Sequence, residues 1–363
     1  MKMLFILFFA SLVAGNVDIT HQKNYYWSEQ GLENPSQGLL QVADWSLLYF
    51  NTSREIRPVL LFTIATPASI PVVLPQVLEN LASFLSQDQM DANGNRATTL
   101  AEHTLVASTN IEAHHGCGRL TEKYHHKCHE FDHKFNGAVY DHLELSQTKA
   151  HAYSIGLSRI KYLVDMVSLG YDVFYFDLHH YFFKNPLRYM YTHTTTPIVV
   201  SATPSSVCQP LSAAPDGSLP DEHHRLDIAF VRSTPSTFRC LYNWLYWSTH
   251  TMHEAEDKPL DHHTFRTVMQ ECVSSLGTSV LSVSYLNPEH FPSECNAKCG
   301  CRGGAPVERP PDGKCPTVCE FSMSIDFCYL REDGLIVAIL TIAIHENVTQ
   351  TMLFEFSRTT SGD

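Results

Sequence analysis

Hydrophobic positions along the chain repeat with two periods, and the alternation between them sketches the fold. Val59-Leu60-Leu61-Phe62-Thr63-Ile64 is a nearly unbroken β-prone run, and Val77, Leu81, Phe84 and Leu85 follow at helical spacing, which predicts a β-α beginning. A turn over Asp91 to Asn95, built on Gly94, leads to a second strand at Thr104-Leu105-Val106-Ala107. Ile160, Leu163, Val164 and Val167 then mark a helix, and Gly170 supplies the left-handed residue that closes one. Val173, Phe174, Tyr175 and Phe176 come next, an apolar strand covered on both faces. Further strands are predicted at Ile198 to Ala202 and Leu226 to Val231, with a Pro/Ser-rich loop from Pro204 to Pro220 between them. Thr234-Pro235 reads as an N-cap with proline at the first helical position, introducing a helix with Leu241, Trp244 and Leu245 inward. Lys258 to Cys272 is predicted as another helix, with Phe265, Val268, Met269 and Cys272 as its stripe, and Leu335 to Ile344 as the last strand. Residues 16–56 show no clear period and read as a lead-in segment. Strands alternating with helices predict a mostly parallel α/β sheet with helices on both faces. With no internal repeat or long charged linker, residues 57–363 read as one domain.

The strand after Gly170 is the one that carries chemistry to an edge. Ligands of open α/β sheets bind beyond the carboxyl ends of strands, and Asp177 and His179 stand there. The aromatic run to Phe183 and the Asn185-Pro186 pair end the element.

Composition narrows the class. The 363 residues are 44% hydrophobic, ordinary for a globular protein, and the net charge of −13 without any Lys/Arg run speaks against nucleic acid or an anionic membrane as partner. Lys2, the apolar run Met3 to Ala14 and the small Gly15 read as a signal peptide over residues 1–15, too short to span a bilayer comfortably. The expected location is the secretory pathway, in the Golgi lumen or secreted, with no stable membrane span once that segment is cleaved. Two sequons, at Asn51 and Asn347, are compatible with it.

Eleven cysteines in an oxidising compartment predict disulfides, and the odd number leaves one thiol over. Cys117 and Cys128 are a possible pair. Cys295, Cys299, Cys301, Cys315, Cys319 and Cys328 crowd into residues 293–328 among glycines and prolines, which leaves little room for regular structure. That insertion is either a disulfide-stapled loop or a zinc knuckle. Eight histidines lie between His103 and His142, and His125, His129 and His133 would share a face of a helix, as a zinc or copper site or as a polar, partly solvated surface.

With these motifs in order, the chain resembles the nucleotide-diphospho-sugar transferase family, GT-A-fold glycosyltransferases related to plant xylosyl- and arabinosyltransferases. The resemblance runs over roughly residues 57–350 and is densest from Lys161 to Pro186, where Gly170-Tyr171, Asp177-Leu178-His179 and Asn185-Pro186 fall in step with the family's pattern. Val231-Arg232-Ser233-Thr234-Pro235, Asp261, and His345-Glu346-Asn347 are further matches. His179 stands where the family's Asp-x-Asp has its second Asp, Arg225-Leu226-Asp227 where it has Asn-x-Gly, and Asp261-His262 where it has Asp-Gln.

The resemblance implies a Rossmann-like GT-A domain that moves a sugar from a nucleoside diphosphate sugar onto a hydroxyl of a glycan or glycoprotein, with retention of configuration. It implies Asp177, His179 and His345 as metal ligands, Asp261 at the donor sugar, and Lys161 and Arg232 with Asp177 at the donor's phosphates. A cation bridging the diphosphate would offset its growing charge, and an imidazole among oxygen ligands shifts preference from Mg²⁺ toward Mn²⁺. The alternatives are a secreted glycan-binding protein on the same fold without turnover, and a His/Cys-rich metal-binding protein.

Overall fold

The computed structural model describes residues 37–52, 55–84, 98–131, 147–202, 224–250, 260–275, 281–287, 290–291, 298–302, 305–308 and 322–324. Its elements run in the order α1 (Gln37–Ser46), β1 (Leu48–Asn51), β2 (Ile56–Ala65), α2 (Val73–Ala82), β3 (Thr104–Ser108), α3 (Ile111–Tyr124) and β4 (Lys127–Glu130). Then come α4 (Gln147–Ser168), β5 (Asp172–Phe176), β6 (His180–Phe182), α5 (Pro186–His193), β7 (Ile198–Ala202) and β8 (His224–Val231). The remaining elements are α6 (Pro235–His250), α7 (Leu260–Ser275), β9 (Val283–Tyr285), β10 (Lys298–Arg302), β11 (Ala305–Glu308) and β12 (Ser322–Ser324).

The apolar runs become the centre of one sheet, ordered β4-β3-β2-β5-β8-β7-β9, with β1 added against β2. Strands β2, β3, β4 and β5 run parallel, as do β7 and β9, while β8 lies antiparallel between β5 and β7. The expectation of a mostly parallel α/β sheet holds, with β8 and the added β1 as its reversed members. Period-2 alternation sends Leu60, Phe62, Val173 and Tyr175 to one face and Val59, Leu61, Phe174 and Phe176 to the other. Helices α1, α4, α6 and α7 cover the first face, and α2, α3 and α5 the second. Both layers exclude water from β5, which is buried at every position.

Local signals set the boundaries. Gly170 takes φ +92°, the helix stop expected of it, and Asn185 caps α5 by accepting from the Leu187 N–H at 3.0 Å. Thr234 caps α6, accepting from the Thr237 N–H at 3.1 Å. Helices α6 and α7 lie antiparallel, joined by a Cys240–Cys272 disulfide near one end and by Trp244 Nε1 donating to Thr264 Oγ1 at 2.8 Å near the other. Cys117 and Cys128, a possible pair from the sequence, are also bonded.

Three expectations are corrected. His125, His129 and His133 do not share a helical face: α3 stops at Tyr124, His125 sits at φ 58° with its N–H bonded to Thr121 O, and His129 belongs to β4. A histidine has taken the left-handed position usually held by glycine or asparagine, so the stop carries no sequence signature. Residues 37–51, inside the segment read as aperiodic, form α1 and β1, with Leu39 and Ala43 buried four residues apart. Within the Cys-rich insertion, β10 and β11 pair antiparallel, with Arg302 opposite Ala305, so part of that segment is regular. The pairing of that segment's other cysteines, the turn over 91–95, the loop over 204–220, the strand over 335–344, His133 and the signal-peptide segment lie outside the described residues. No described helix is long and apolar enough to cross a membrane.

His126, fully buried beside Lys127, has its pKa pushed down to about 4 by burial. The unfolded chain, with its histidine near 6.5, then binds a proton that the folded chain refuses. Stability contributed by the neutral imidazole is present above pH 6.5 and lost as pH falls toward 4, on the order of 3 kcal/mol. Urea unfolding of His126→Leu against the parent is expected to show a difference that shifts in favour of the variant by that amount between pH 7 and pH 4.

Candidate functional site

The site grows from the carboxyl end of β5. Antiparallel pairing sets Phe176 opposite Ile228, and the ladder ends with the Asp177 N–H donating to Asp227 O at 2.8 Å. A tight turn follows, closed by the His180 N–H donating to Asp177 O at 3.1 Å. That turn brings the His179 and His180 rings together, tilted by 39° with centroids 4.4 Å apart. One ligating atom from each of His179, His180 and Asp227 lies within 4.8 Å of the others. His180 and Asp227 are buried, His179 half-buried, so the group faces outward through His179.

The turn rests on a rigid base. Phe174, Phe176 and Phe182 form a ring cluster with centroids 5.5 to 5.9 Å apart. Asn80 on α2 donates from Nδ2 to Phe182 O and accepts from Phe182 N, both at 2.8 Å, and so acts as a strand partner for β6. On its other side β6 pairs with β12, which brings Ser324 beside His180. Asn80→Ala strands both buried groups of Phe182 and is expected to cost about 2 kcal/mol. Thermal unfolding should record the loss, and Mn²⁺ affinity should fall with it if the turn has loosened.

Asp177 is engaged elsewhere. Its Oδ1 accepts from Arg159 Nη2 at 3.3 Å and from the Tyr175 hydroxyl, and the Arg159 guanidinium lies 4.8 Å from the centre of the Tyr175 ring. Helix α4 thereby places a cation against the carboxylate that sequence reasoning chose first. Lys161, two residues on, is buried and donates to Asp165 Oδ2 at 2.7 Å within its own helix. Arg232 lies at the opposite edge of the sheet, because β8 runs antiparallel and Val231 pairs with Val173. Its guanidinium donates to Met190 O at 3.0 Å and Thr194 O at 2.6 Å, closing the end of α5 across the rings of Tyr191 and Phe230, and burial pushes its pKa down. Asp261 sits in the first turn of α7. Since α6 rises from the edge holding Ser233 and α7 descends beside it, that turn lies on the same side of the sheet as Asp177. His345 lies outside the described residues.

The structure therefore groups His179 with His180 and Asp227, and sets Asp177 at the start of the same turn with its side chain held by Arg159 and Tyr175. Two of these carried a signal. A second histidine follows His179 directly, and Asp227 interrupts the apolar strand Leu226 to Val231, where a buried carboxylate demands a partner.

Comparison with known proteins bears on the whole. Among solved structures, similarity extends to mouse xyloside xylosyltransferase 1 (11% identity, TM-score 0.35, 59% of this chain and 82% of that one). It extends also to the galactosyltransferase LgtC in complex with donor and acceptor sugar analogues (8%, 0.37, 63% and 73%) and to the bifunctional glycosyltransferase WbbM (11%, 0.38, 66% and 40%). No curated protein matches the sequence. At such TM-scores the structural likenesses decide nothing, whereas the family profile described as nucleotide-diphospho-sugar transferase matches residues 99–309, more than half of the 363. With that match spanning β3 through β11 and both halves of the edge site, the chain belongs to the nucleotide-diphospho-sugar transferase family.

Proposed function

We propose that the protein is a divalent-cation-dependent glycosyltransferase that moves a sugar from a nucleoside diphosphate sugar to a hydroxyl of a glycan or glycoprotein, with retention of configuration. The observation that carries this reading is the convergence of His179, His180 and Asp227 at the carboxyl edge of β5, in a chain of this family. Two imidazoles and one carboxylate suit Mn²⁺ better than Mg²⁺, which prefers oxygen alone. These three residues would hold the ion, with His345 as the further ligand implied by the resemblance. When bound, the ion neutralises the charge that builds on the diphosphate as the glycosidic bond breaks.

The other residues position. Asp177 fixes the turn through its main chain, while Arg159 and Tyr175 hold its side chain. Asp261, on the same side of the sheet, would address the donor sugar. The proposed location is the lumen of the secretory pathway or outside the cell, and the two disulfides Cys117–Cys128 and Cys240–Cys272 support an oxidising compartment.

One observation favours a second reading, a glycan-binding protein without turnover: Arg159 pairs with Asp177, the carboxylate that the resemblance implies as a metal ligand, which leaves Asp227 as the one carboxylate of the group. A donor-hydrolysis screen of the purified chain across nucleotide sugars separates the two. Hydrolysis of one donor with Mn²⁺, abolished by chelation, is the expected result. Glycan binding with no donor hydrolysis, and no donor binding by saturation-transfer NMR in Mn²⁺, would establish the second reading.

A further inference from the structure

A second set of ligating side chains converges far from this edge, on β4, the last strand of the sheet. Cys117 on α3, His126 just before β4 and Cys128 on β4 each bring a ligating atom within 4.8 Å of the other two. Cys117 and Cys128 are bonded to each other, and His126 Nε2 lies 3.4 Å from Cys117 Sγ and 3.5 Å from Cys128 Sγ. Residues 126 and 128 share a face because side chains alternate along a strand, and that face meets α3. Cys117 and His126 are fully buried and Cys128 half-buried, so the group opens to solvent on one side.

These distances fit more than a disulfide. A tetrahedral zinc ion with bonds of about 2.3 Å to sulfur and about 2.0 Å to nitrogen separates sulfur from nitrogen by about 3.5 Å, and sulfur from sulfur by about 3.8 Å. Both sulfur to nitrogen separations already have that length, so only the two sulfurs must part. A disulfide alone gives no reason for an imidazole aimed at both of its sulfurs, since they are weak acceptors at best.

We propose that Cys117, His126 and Cys128 form a reduction-gated site for one thiophilic d¹⁰ cation, Zn²⁺, held in place of the disulfide whenever a dithiol has reduced it. The dithiol gives two electrons and two protons to the Cys117–Cys128 bond and is itself oxidised to a disulfide. Zn²⁺ then displaces the two thiol protons, and the neutral imidazole binds through Nε2, leaving a fourth position for water or an outside ligand. Either state ties α3 to β4, one by a covalent bond and the other by coordination.

The test compares full chains that differ at one residue, because reduction also opens Cys240–Cys272 and the sequence holds seven further cysteines. Parent, Cys128→Ser, Cys128→His and His126→Ala chains are reduced with a phosphine under nitrogen, loaded with Zn²⁺, desalted and assayed for zinc by mass spectrometry. The parent is expected to retain one equivalent more than Cys128→Ser, and Cys128→His, which restores a ligand, to recover it. His126→Ala should lose the same equivalent, and all four oxidised chains should carry equal zinc. Co²⁺ in place of Zn²⁺ should give a thiolate charge-transfer band that drops in Cys128→Ser. Equal zinc in the reduced parent and Cys128→Ser would overturn the proposal, whether or not His126→Ala folds.

Discussion

Replacing Asp172 with alanine is expected to destabilise the protein by about 4 kcal/mol, the cost of removing one partner from a buried ion pair. The carboxylate is fully buried and takes all of its partners from separate parts of the chain. Arg57 on β2 donates to it from Nε at 3.0 Å and from Nη2 at 2.6 Å, a bidentate clamp. The Tyr191 hydroxyl on α5 donates at 2.8 Å and the Ser233 N–H, ahead of α6, at 2.7 Å. Burial and the neighbouring carboxylate push the Tyr191 phenol up, so it stays a donor, and the hydrogen bond to Asp172 raises the Arg57 guanidinium. Alanine leaves the Tyr191 hydroxyl and the Ser233 N–H without their acceptor and Arg57 with only Ser233 O and the exposed Glu55, whereas Arg57→Ala leaves a fully buried carboxylate held by Tyr191 and Ser233 alone. The double variant should then lose less than the sum, since the charge orphaned in each single variant is gone. Guanidinium unfolding of the four chains measures this; a loss below about 1 kcal/mol for Asp172→Ala would mean that water reaches the carboxylate.

The same residue explains what the sequence showed and what it hid. Apolar runs such as Val173 to Phe176 and, Asp227 apart, Leu226 to Val231 announce buried strands because hydrophobic burial is local in its demands, and the structure has them there. Gly170 and Thr234-Pro235 were equally legible, since caps and stops are made by neighbours in sequence, whereas Asn185-Pro186 was read as the end of a strand and in fact also opens α5. Strand direction was not. Nothing in Leu226 to Val231 tells that β8 runs backwards, yet that reversal puts Arg232 beside Asp172 and Tyr191 instead of beside Asp177, and turns Asp227 toward the histidines. Charged residues are placed by pairing across the sheet, which no local pattern records. For the same reason Arg159 was invisible beside Lys161: spacing along α4 gives no sign of which one reaches Tyr175 and Asp177 and which one binds Asp165. The cysteine of α7 read simply as part of an apolar stripe is likewise half of a disulfide, because Cys240 approaches it only once α6 and α7 pack.

This geometry inverts the order of effects that the sequence alone would give at the edge site. Asp227→Asn removes the one carboxylate of the His179, His180 and Asp227 group, so Mn²⁺ affinity is expected to fall at least about 100-fold, given that even outer-shell partners of a metal cost 10 to 100-fold. His180→Ala should fall as far, since its ring is fully buried between His179 and the β12 strand and no solvent ligand replaces it easily. Asp177→Ala should do less, because its carboxylate already serves Arg159 and Tyr175, and its main-chain bonds to Asp227 and His180 survive the substitution. Electron paramagnetic resonance of free Mn²⁺ gives these affinities without reference to turnover. Nucleotide-sugar binding by calorimetry, with and without the ion, then reads the consequence for the donor. A larger loss for Asp177→Ala than for Asp227→Asn would mean that Arg159 releases the carboxylate when the cation arrives, and the metal would belong to Asp177 and His179 as the sequence first suggested. Arg159→Gln separates these cases: it leaves Mn²⁺ affinity unchanged if Asp177 is only a positioning residue, and raises it if the guanidinium competes with the ion for that oxygen.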